Sequence, residues 1–257
     1  MRHLALLLLI TFAVTPCLAD VPVTGRHQDM TFPASEVNAY AAVAYHRLIA
    51  EQRRAGLIDT DPALVARVRR IAAPIIAEAG RLKYQSSLWH WEIHVSNDPE
   101  VNASSMAGGK LLIGRGFIAH YRLTDGELAA VLAHEIAHAV AEHVREQLSE
   151  VQLRNPRYSY SVEDAAAAMG SDMGLYLSLM PLSELQESEA DQVGVDLLAA
   201  AGYPPRAALS FYRKLAAYDA DADSGGLFNT HGSDQGRLQA VTEFVERMEQ
   251  SRSAAVQ

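Results

Sequence analysis

The sequence predicts an α+β domain that is mostly α-helical, with a small antiparallel sheet beside a central helix. Two observations lead to this class. Apolar residues recur at helical spacing through most of the chain, whereas only residues 88–95 and 110–113 have the pattern of strands. The 257 residues, 49% of them hydrophobic and 21% charged, are enough to bury one core. Because no internal repeat or low-complexity linker divides the chain, we predict a single domain over residues 20–257.

The first nineteen residues have the organisation of a secretory signal peptide. Arg2 and His3 precede an apolar run over residues 4–14, and small residues follow up to Ala19. The run is shorter than the roughly 20 residues that a membrane span needs. We therefore predict a signal peptide over residues 1–19 that is cleaved after Ala19.

Two alternatives remain for this segment. One is a lipoprotein signal with Cys17 as the lipidated residue, which Pro16 fits poorly, and the other is an uncleaved anchor. All three place the domain outside the cytoplasm, which in a bacterium means the periplasm. Cys17 is the single cysteine, so no intrachain disulfide can form. The net charge of −9, from 31 acidic and 22 basic residues, argues against a nucleic-acid partner.

The predicted helices follow from apolar periodicity and from residues that begin or end helices. Asp61 and Pro62 begin the second helix, whose arginines we expect on a solvated face. Thr124 and Glu127 have the spacing of a capping box, and the helix that they begin should run to about Gln147. The Ala-rich segment 165–182 predicts a buried helix pair or bent helix rather than a membrane span. The other predicted helices cover residues 35–54, 183–201, 207–218 and 236–250.

The capped helix contains an HExxH motif. His134 and His138 are four residues apart, so both imidazoles lie on one helix face and can bind one metal ion. Glu135 lies beside the first histidine and is placed to take a proton from metal-bound water. The alternative is that these are ordinary surface histidines.

A third protein ligand is needed for a catalytic zinc, and it lies elsewhere in the sequence. His143 is nine residues after His134, which in a continuous helix directs it to the opposite side. Glu187 and Asp191 share a face of a later helix, so one carboxylate can bind the metal while the other accepts an N–H of a ligating histidine. Glu189 is expected to face solvent. The alternative is that all of these carboxylates simply face water.

Four segments together give a more specific pattern. They are Asn102-Ala103 with Gly108-Gly109; residues 127–143, which contain the HExxH motif; Glu187 to Asp191 with Gly194 and Ala201-Gly202-Tyr203; and Thr230-His231-Gly232 with Arg237. In these segments the chain resembles the zinc metallopeptidase family that includes HtpX, the type I CAAX prenyl proteases and the periplasmic proteases BepA and LoiP. It departs from that family at Gly232, where proline is usual, and at residues 104–107, where an aromatic residue and a proline are usual.

The resemblance implies a gluzincin-like zincin core that binds one Zn²⁺ per chain through His134, His138 and Glu187. It implies Glu135 as general base, and His231 near the metal as an oxyanion stabiliser or a gating ligand, with Arg237 assisting. The alternative for His231 is an ordinary loop histidine.

The expected function is that of an exported, periplasmic zinc endopeptidase. Polypeptide substrates, by analogy misfolded or misassembled envelope proteins, would add as an extra strand along residues 110–113. A membrane surface is a further expected neighbour, by proximity or through a lipid on Cys17. The alternative function is an edge-strand chaperone or assembly factor whose zinc site is structural or self-blocked.

Overall fold

The computed structural model describes residues 17–221 and 235–254. Within these ranges the chain forms five short strands and nine α-helices, together with one 3₁₀ turn at Tyr84–Leu88. The strands are β1 (Cys17–Asp20), β2 (His27–Met30), β3 (Glu92–Ser96), β4 (Ala103–Met106) and β5 (Lys110–Gly114). The helices are α1 (Ala34–Arg54), α2 (Pro62–Leu82), α3 (Arg115–His120), α4 (Asp125–Val140), α5 (His143–Arg154), α6 (Val162–Ser171), α7 (Met173–Ala200), α8 (Arg206–Asp221) and α9 (Gln235–Ala254). The mostly helical α+β class is confirmed.

The central helix α4 is packed between α2, α7 and α8. It is buried on almost all sides, as expected for a helix that is apolar around most of its circumference. In the stretch 127–140 only His134 and His138 are not fully buried. Beyond its first two residues, the helix therefore leaves partly exposed only the two histidines that its sequence marks as metal ligands.

The three-stranded sheet has the order β3-β5-β4 and is mixed rather than wholly antiparallel. β5 runs parallel to β3 and antiparallel to β4. After β3 the chain crosses to the far edge to form β4, then turns back through Gly108 and Gly109, whose φ angles are 74° and 77°. This turn places β5 between the other two strands. The expectation that residues 110–113 form an edge strand is therefore wrong, and β4 is an edge strand instead.

The capping box at the start of α4 is confirmed and extends further than the sequence indicated. The Thr124 hydroxyl accepts from the Glu127 amide, and the Glu127 carboxylate accepts from the Thr124 amide. The same carboxylate pairs with Lys214 Nζ at 2.7 Å and accepts from Ser210 Oγ at 2.6 Å, both on α8. Although burial raises the pKa of Glu127, these partners lower it to about 2. The carboxylate thus joins two helices and stays ionised.

The arginines of α2 contact neighbouring elements rather than only solvent. Arg67 and Arg70 both pair with Asp125 at the start of α4, each at 2.8 Å. Arg69 donates to the carbonyl of Ile93 in β3. These side chains therefore connect α2 to α4 and to the sheet.

The helix that begins at Thr124 ends at Val140, and the predicted continuation to Gln147 is wrong. Glu142 has a φ of 56°, in the left-handed region, and α5 starts at the next residue in a new direction. Lys83 stabilises this break, because its ammonium donates to the Val140 carbonyl at 3.0 Å and to the Glu142 carboxylate at 2.7 Å. Because of this break, His143 does not point to the side on which a continuous helix would place it.

Segment 165–182 forms the predicted helix pair, with α6 and α7 meeting at Asp172, but it is not buried. Leu179 packs into a small apolar cluster, whereas large apolar side chains on the other side of α7 are exposed. These are Met173, Tyr176, Leu177 and Met180. Pro181 lies inside α7 without ending it. Within residues 17–221 and 235–254, no helix has the length and apolar character needed to cross a bilayer.

The predicted signal peptide lies mostly outside the described residues, which begin at Cys17. Residues 17–20 form β1, which pairs antiparallel with β2, and the predicted cleavage point after Ala19 falls within this strand. The signal peptide stays a prediction.

Replacing Glu127 by Gln should destabilise the fold by about 2 kcal/mol at pH 7, because a buried cap and a charge-assisted contact are lost together. The carboxylate has a lowered pKa in the folded state, so its contribution is complete above pH 4.5 and is lost as the pH falls toward 2. Urea denaturation between pH 3 and 7 should therefore show that the difference in free energy of unfolding between wild type and Glu127→Gln becomes smaller below pH 4.5. Replacing the exposed Glu163 by Gln is the control and should change stability by less than about 0.5 kcal/mol. A difference that is constant with pH would contradict this account.

Candidate metal centre

His134, His138 and Glu187 converge on one point between α4 and α7. The Nε2 atoms of the two histidines are 3.0 Å apart. Glu187 directs Oε2 to His134 Nε2 at 3.4 Å and Oε1 to His138 Nε2 at 3.3 Å. The two imidazole side chains are 12% and 13% exposed, so the cluster is recessed but accessible. The structure thus brings together the three ligands that the sequence predicts.

The separations fit a tetrahedral zinc ion. Ligand atoms at the usual Zn–N and Zn–O distances of 2.0–2.1 Å lie about 3.3 Å apart around a tetrahedron. The three observed separations, 3.0, 3.3 and 3.4 Å, bracket this value. Two imidazoles and one carboxylate are the donor set of a catalytic zinc that keeps its fourth position open. The donor atoms and their spacing therefore fit the metal that the sequence implies.

Asp191 orients the first histidine. Its Oδ1 is 3.0 Å from His134 Nδ1, on the side of the ring opposite Nε2. Burial alone would raise the pKa of Asp191, but His134 and Arg237 lower it below its usual range. An ionised carboxylate at Nδ1 selects the tautomer whose Nε2 carries the free lone pair, as a metal ligand requires.

Glu135 is buried and lines a cleft of about 450 Å³, including its opening to solvent. The cleft is bounded by α4 on one side and by the start of β4 on the other, because His134, Asn102 and Ala103 also line it. Aromatic and aliphatic side chains supply most of the remaining wall: Phe117, Val131, Phe211, Tyr212 and Leu215. The general-base candidate therefore lines the same cleft as the ligand candidate His134.

Arg237 lies on α9 and joins the carboxylates of α7. Its Nη2 is 2.7 Å from Asp191 Oδ1, and its Nη1 is 3.2 Å from Glu187 Oε2. Its guanidinium also lies over the Tyr212 ring, 5.4 Å from the centroid. The two carboxylates raise the pKa of Arg237 against the effect of burial. The predicted site residue is thus in the site, where it holds both carboxylates and lines the cleft.

Two residues that were not expected at the site support it. Because α4 ends at Val140, His143 turns back and its Nδ1 lies 2.8 Å from Nδ1 of His138. Glu189, expected in solvent, is 3% exposed and its Oε2 lies 3.4 Å from His143 Nε2. Burial raises the pKa of Glu189, but His143 and Arg26 lower it to about 2. The recurrence of acidic residues at 187, 189 and 191 was a signal for this, whereas no sequence signal indicated the break at Glu142.

The remaining predicted site residue, His231, lies outside the described residues, as do Thr230 and Gly232. Its predicted role near the metal stays a prediction.

A close approach of backbones sets the distance between the two helices. A Cβ at Gly194 would lie 3.1 Å from both Cα and N of His134. Glu187, Asp191 and Gly194 recur at helical spacing and so share the face of α7 that meets α4. The absence of a side chain at Gly194 therefore allows the carboxylates to reach the imidazoles.

Comparisons with known proteins agree with this geometry. The family model of Peptidase family M48 matches residues 62–245. The mitochondrial metalloendopeptidase OMA1 of Schizosaccharomyces pombe is 30% identical over 247 residues, which are 93% of this chain and 69% of that protein. The OMA1 of Arabidopsis thaliana is 37% identical over 157 residues, 60% of this chain and 31% of that one. The beta-barrel assembly-enhancing protease of Yersinia pestis is 24% identical over 180 residues, 65% of this chain and 36% of that one. The chain thus spans from 31% to 69% of the length of these relatives.

Replacing Gly194 by Ala should lower both stability and zinc affinity, because the added methyl must separate α7 from the backbone of α4. Helix propensity alone predicts the opposite sign, a gain of up to about 1 kcal/mol. We expect a loss of about 1–3 kcal/mol in thermal unfolding and a weaker zinc complex in chelator competition. Gly170→Ala on α6, where no heavy atom lies within 4 Å of the added Cβ, is the control and should lose neither. Wild-type zinc affinity in Gly194→Ala would refute the close-approach argument.

Proposed function

This chain belongs to peptidase family M48, and we propose that it is a zinc-dependent endopeptidase whose metal is held by His134, His138 and Glu187. One observation carries the proposal. Two imidazole Nε2 atoms and one carboxylate converge at tetrahedral spacing, and one of these ligands, His134, lines the cleft that Glu135 also lines. A structural zinc site is normally closed by four protein ligands, whereas three ligands facing an open cleft leave a position for water or substrate.

Zinc at this position would supply positive charge that polarises the scissile carbonyl and lowers the pKa of a bound water. The chain's own residues supply the proton transfers. Glu135, next to His134 and facing the cleft, would accept the proton of the attacking water and return it to the leaving amine. Asp191 would hold the tautomer of His134 during both steps.

Negative charge that develops on the carbonyl oxygen needs a positive or donating neighbour. Arg237 is a candidate because its guanidinium lines the cleft and is fixed by Glu187 and Asp191. His231 is the second candidate, through the sequence pattern that it shares with the family, and it acts either as a stabiliser of this charge or as a gate on the metal.

The backbone of the substrate would lie along β4. The Gly114 N–H donates to the Asn102 carbonyl, so the backbone groups of Asn102 point toward β5. Successive residues of an antiparallel strand alternate in this respect. The backbone groups of Ala103 and Ser105 therefore point away from β5 and are free to bind another strand. Ala103 also lines the cleft beside His134. An extended peptide that adds to this edge as a fourth strand would pass the metal ligands.

The substrates would be unfolded or misassembled polypeptides outside the cytoplasm. Support comes from the signal-peptide pattern over residues 1–19 and from relatives named beta-barrel assembly-enhancing protease. The exposed apolar side chains at the start of α7 add to this, since exposed apolar patches mark surfaces that bind other chains. The OMA1 relatives are named mitochondrial, so the periplasmic assignment depends on the N-terminal sequence of this chain.

Replacing Glu135 by Gln should abolish cleavage while leaving zinc bound, because the amide cannot accept the proton and Glu135 is not a ligand. Casein hydrolysis should fall at least about 100-fold, and metal analysis should still give one zinc per chain. His231→Ala separates its two roles, since faster cleavage identifies a gate and slower cleavage a stabiliser.

Zinc binding without cleavage in wild type, combined with suppression of aggregation that Glu135→Gln retains, would replace the peptidase by the chaperone alternative. The absence of zinc from the wild-type protein would overturn the metal site itself.

Replacing Ser105 by Pro should weaken substrate binding, because it removes an outward N–H from the edge of β4 without removing a ladder bond to β5. We expect kcat/KM for casein to fall about tenfold through KM, since one backbone contact in a desolvated site contributes roughly 1–1.5 kcal/mol. Zinc content should not change. Ser105→Ala keeps the N–H and serves as the matched control. A proline variant with wild-type KM would exclude this edge as the substrate strand.

A further inference from the structure

We infer that Arg26 is a positioning residue of the metal centre, and that it holds the ligand His138 through Glu189 and His143. The inference rests on the proposed function in one respect, because it takes His138 as a metal ligand. It assigns a role in that site to the turn of residues 21–26, far from the HExxH motif in sequence. Three successive contacts carry it.

The first contact is between the two histidines. A His138 that binds a metal through Nε2 must carry its proton on Nδ1. That Nδ1 lies 2.8 Å from Nδ1 of His143, which must then be the acceptor. A neutral His143 that accepts at Nδ1 carries its own proton on Nε2. The tautomer of one histidine thus fixes the tautomer of the other.

The second contact joins His143 to Glu189. The Nε2 atom of His143 lies 3.4 Å from Glu189 Oε2, and both side chains are almost completely buried. The Glu189 carboxylate therefore forms an ion-pair contact with the side of the His143 ring that carries the Nε2 proton. Asp191 contacts Nδ1 of the ligand His134 directly. Glu189 acts on Nδ1 of the ligand His138 in the same way, but through the imidazole of His143.

The third contact fixes the carboxylate. The guanidinium of Arg26 binds Glu189 with Nε at 2.6 Å and Nη2 at 2.8 Å. It binds Glu146 with Nη1 at 2.5 Å and Nη2 at 2.8 Å. Planar guanidinium groups form such two-point contacts, whereas an ammonium does not. Arg26 therefore sets both the position and the orientation of Glu189.

The turn that carries Arg26 is itself held in place. The amide of Val21 donates to the Arg26 carbonyl at 2.9 Å, and the amide of Gly25 donates to the Val21 carbonyl at 2.9 Å. Val21 is buried in the main core, and Thr24 donates to Glu189 at 3.3 Å. The guanidinium is thus delivered by a folded turn rather than by a free terminus.

If Arg26 only stabilised the fold, loss of either of its two glutamate partners should affect zinc binding equally. Comparison of the two glutamates therefore distinguishes a structural role from a positioning role. Both carboxylates are buried and share the same arginine, but only Glu189 contacts His143. Glu146 instead accepts from the amides of Gln28 and Gln186. Glu189→Gln and Glu146→Gln therefore each remove one buried negative charge beside Arg26. Only Glu189→Gln also changes the contact with His143, and through it the contact with the metal ligand His138.

The experiment measures the zinc dissociation constant by chelator competition, and the thermal unfolding of the metal-free protein, for each variant. Loss of a group that orients a ligating histidine typically weakens metal binding 10–100-fold. We expect Glu189→Gln and Arg26→Ala to weaken zinc binding by about tenfold or more, and Glu146→Gln by less than about threefold. The visible spectrum of the cobalt-substituted protein should change in Glu189→Gln and not in Glu146→Gln.

His143 supplies a second, independent comparison. His143→Asn keeps an acceptor near Nδ1 of His138 but loses the contact with Glu189, so it should weaken zinc binding like Glu189→Gln, and His143→Leu, which loses both contacts, should weaken it at least as much. Equal zinc affinities in the two glutamine variants, or wild-type affinity in His143→Leu, would overturn the inference. Either result would leave the proposed function standing if wild type binds one zinc and Glu135→Gln abolishes cleavage. A wild-type protein without zinc would instead reject the proposed function.

Discussion

The contact between α7 and α4 is the constraint on which the rest of the site depends. The backbones meet at Gly194 and His134, so closely that a Cβ at Gly194 would lie 3.1 Å from the His134 backbone. At this separation Glu187, two helical turns earlier on α7, reaches the imidazoles of α4. A wider gap would leave two histidines on one helix and two carboxylates on another, without a common centre. The geometry of the metal site is therefore a consequence of helix packing.

Charge balance is the second requirement, because this packing buries four carboxylates close together. Glu187 and Asp191 share Arg237, and Glu189 and Glu146 share Arg26. A buried carboxylate without a partner costs several kcal/mol, so each arginine makes the burial of two acids tolerable. One arginine comes from the beginning of the chain and the other from α9, near its end. Segments near both ends of the described chain thus supply an arginine to the centre that α4 and α7 build.

Some of the fold and the site followed from local rules. The capping box at Thr124 and Glu127 gave the start of α4 because it depends only on residues three apart. The HExxH spacing gave both histidines because four residues make about one helical turn. Where several elements compete, the local rules failed. Glu142 is no typical helix terminator, yet Lys83 and Arg145 hold its left-handed backbone and end the helix there. Segment 165–182 was expected to be buried because it is apolar, yet one side of α7 has no described element packed against it.

The sequence by itself determined which side chains could hold a metal and act on water, because helical spacing fixes neighbours within one helix. It also indicated that Glu187 and Asp191 work together, since they lie on one face of α7. Only the tertiary structure decided which strand lies at the edge of the sheet, where the helix of the motif ends, and that His143, Glu189 and Arg26 connect to His138. The reason is physical: these relations join groups that are distant in sequence, and their energies depend on burial and on charges contributed by other elements. Local spacing contains no information about such partners.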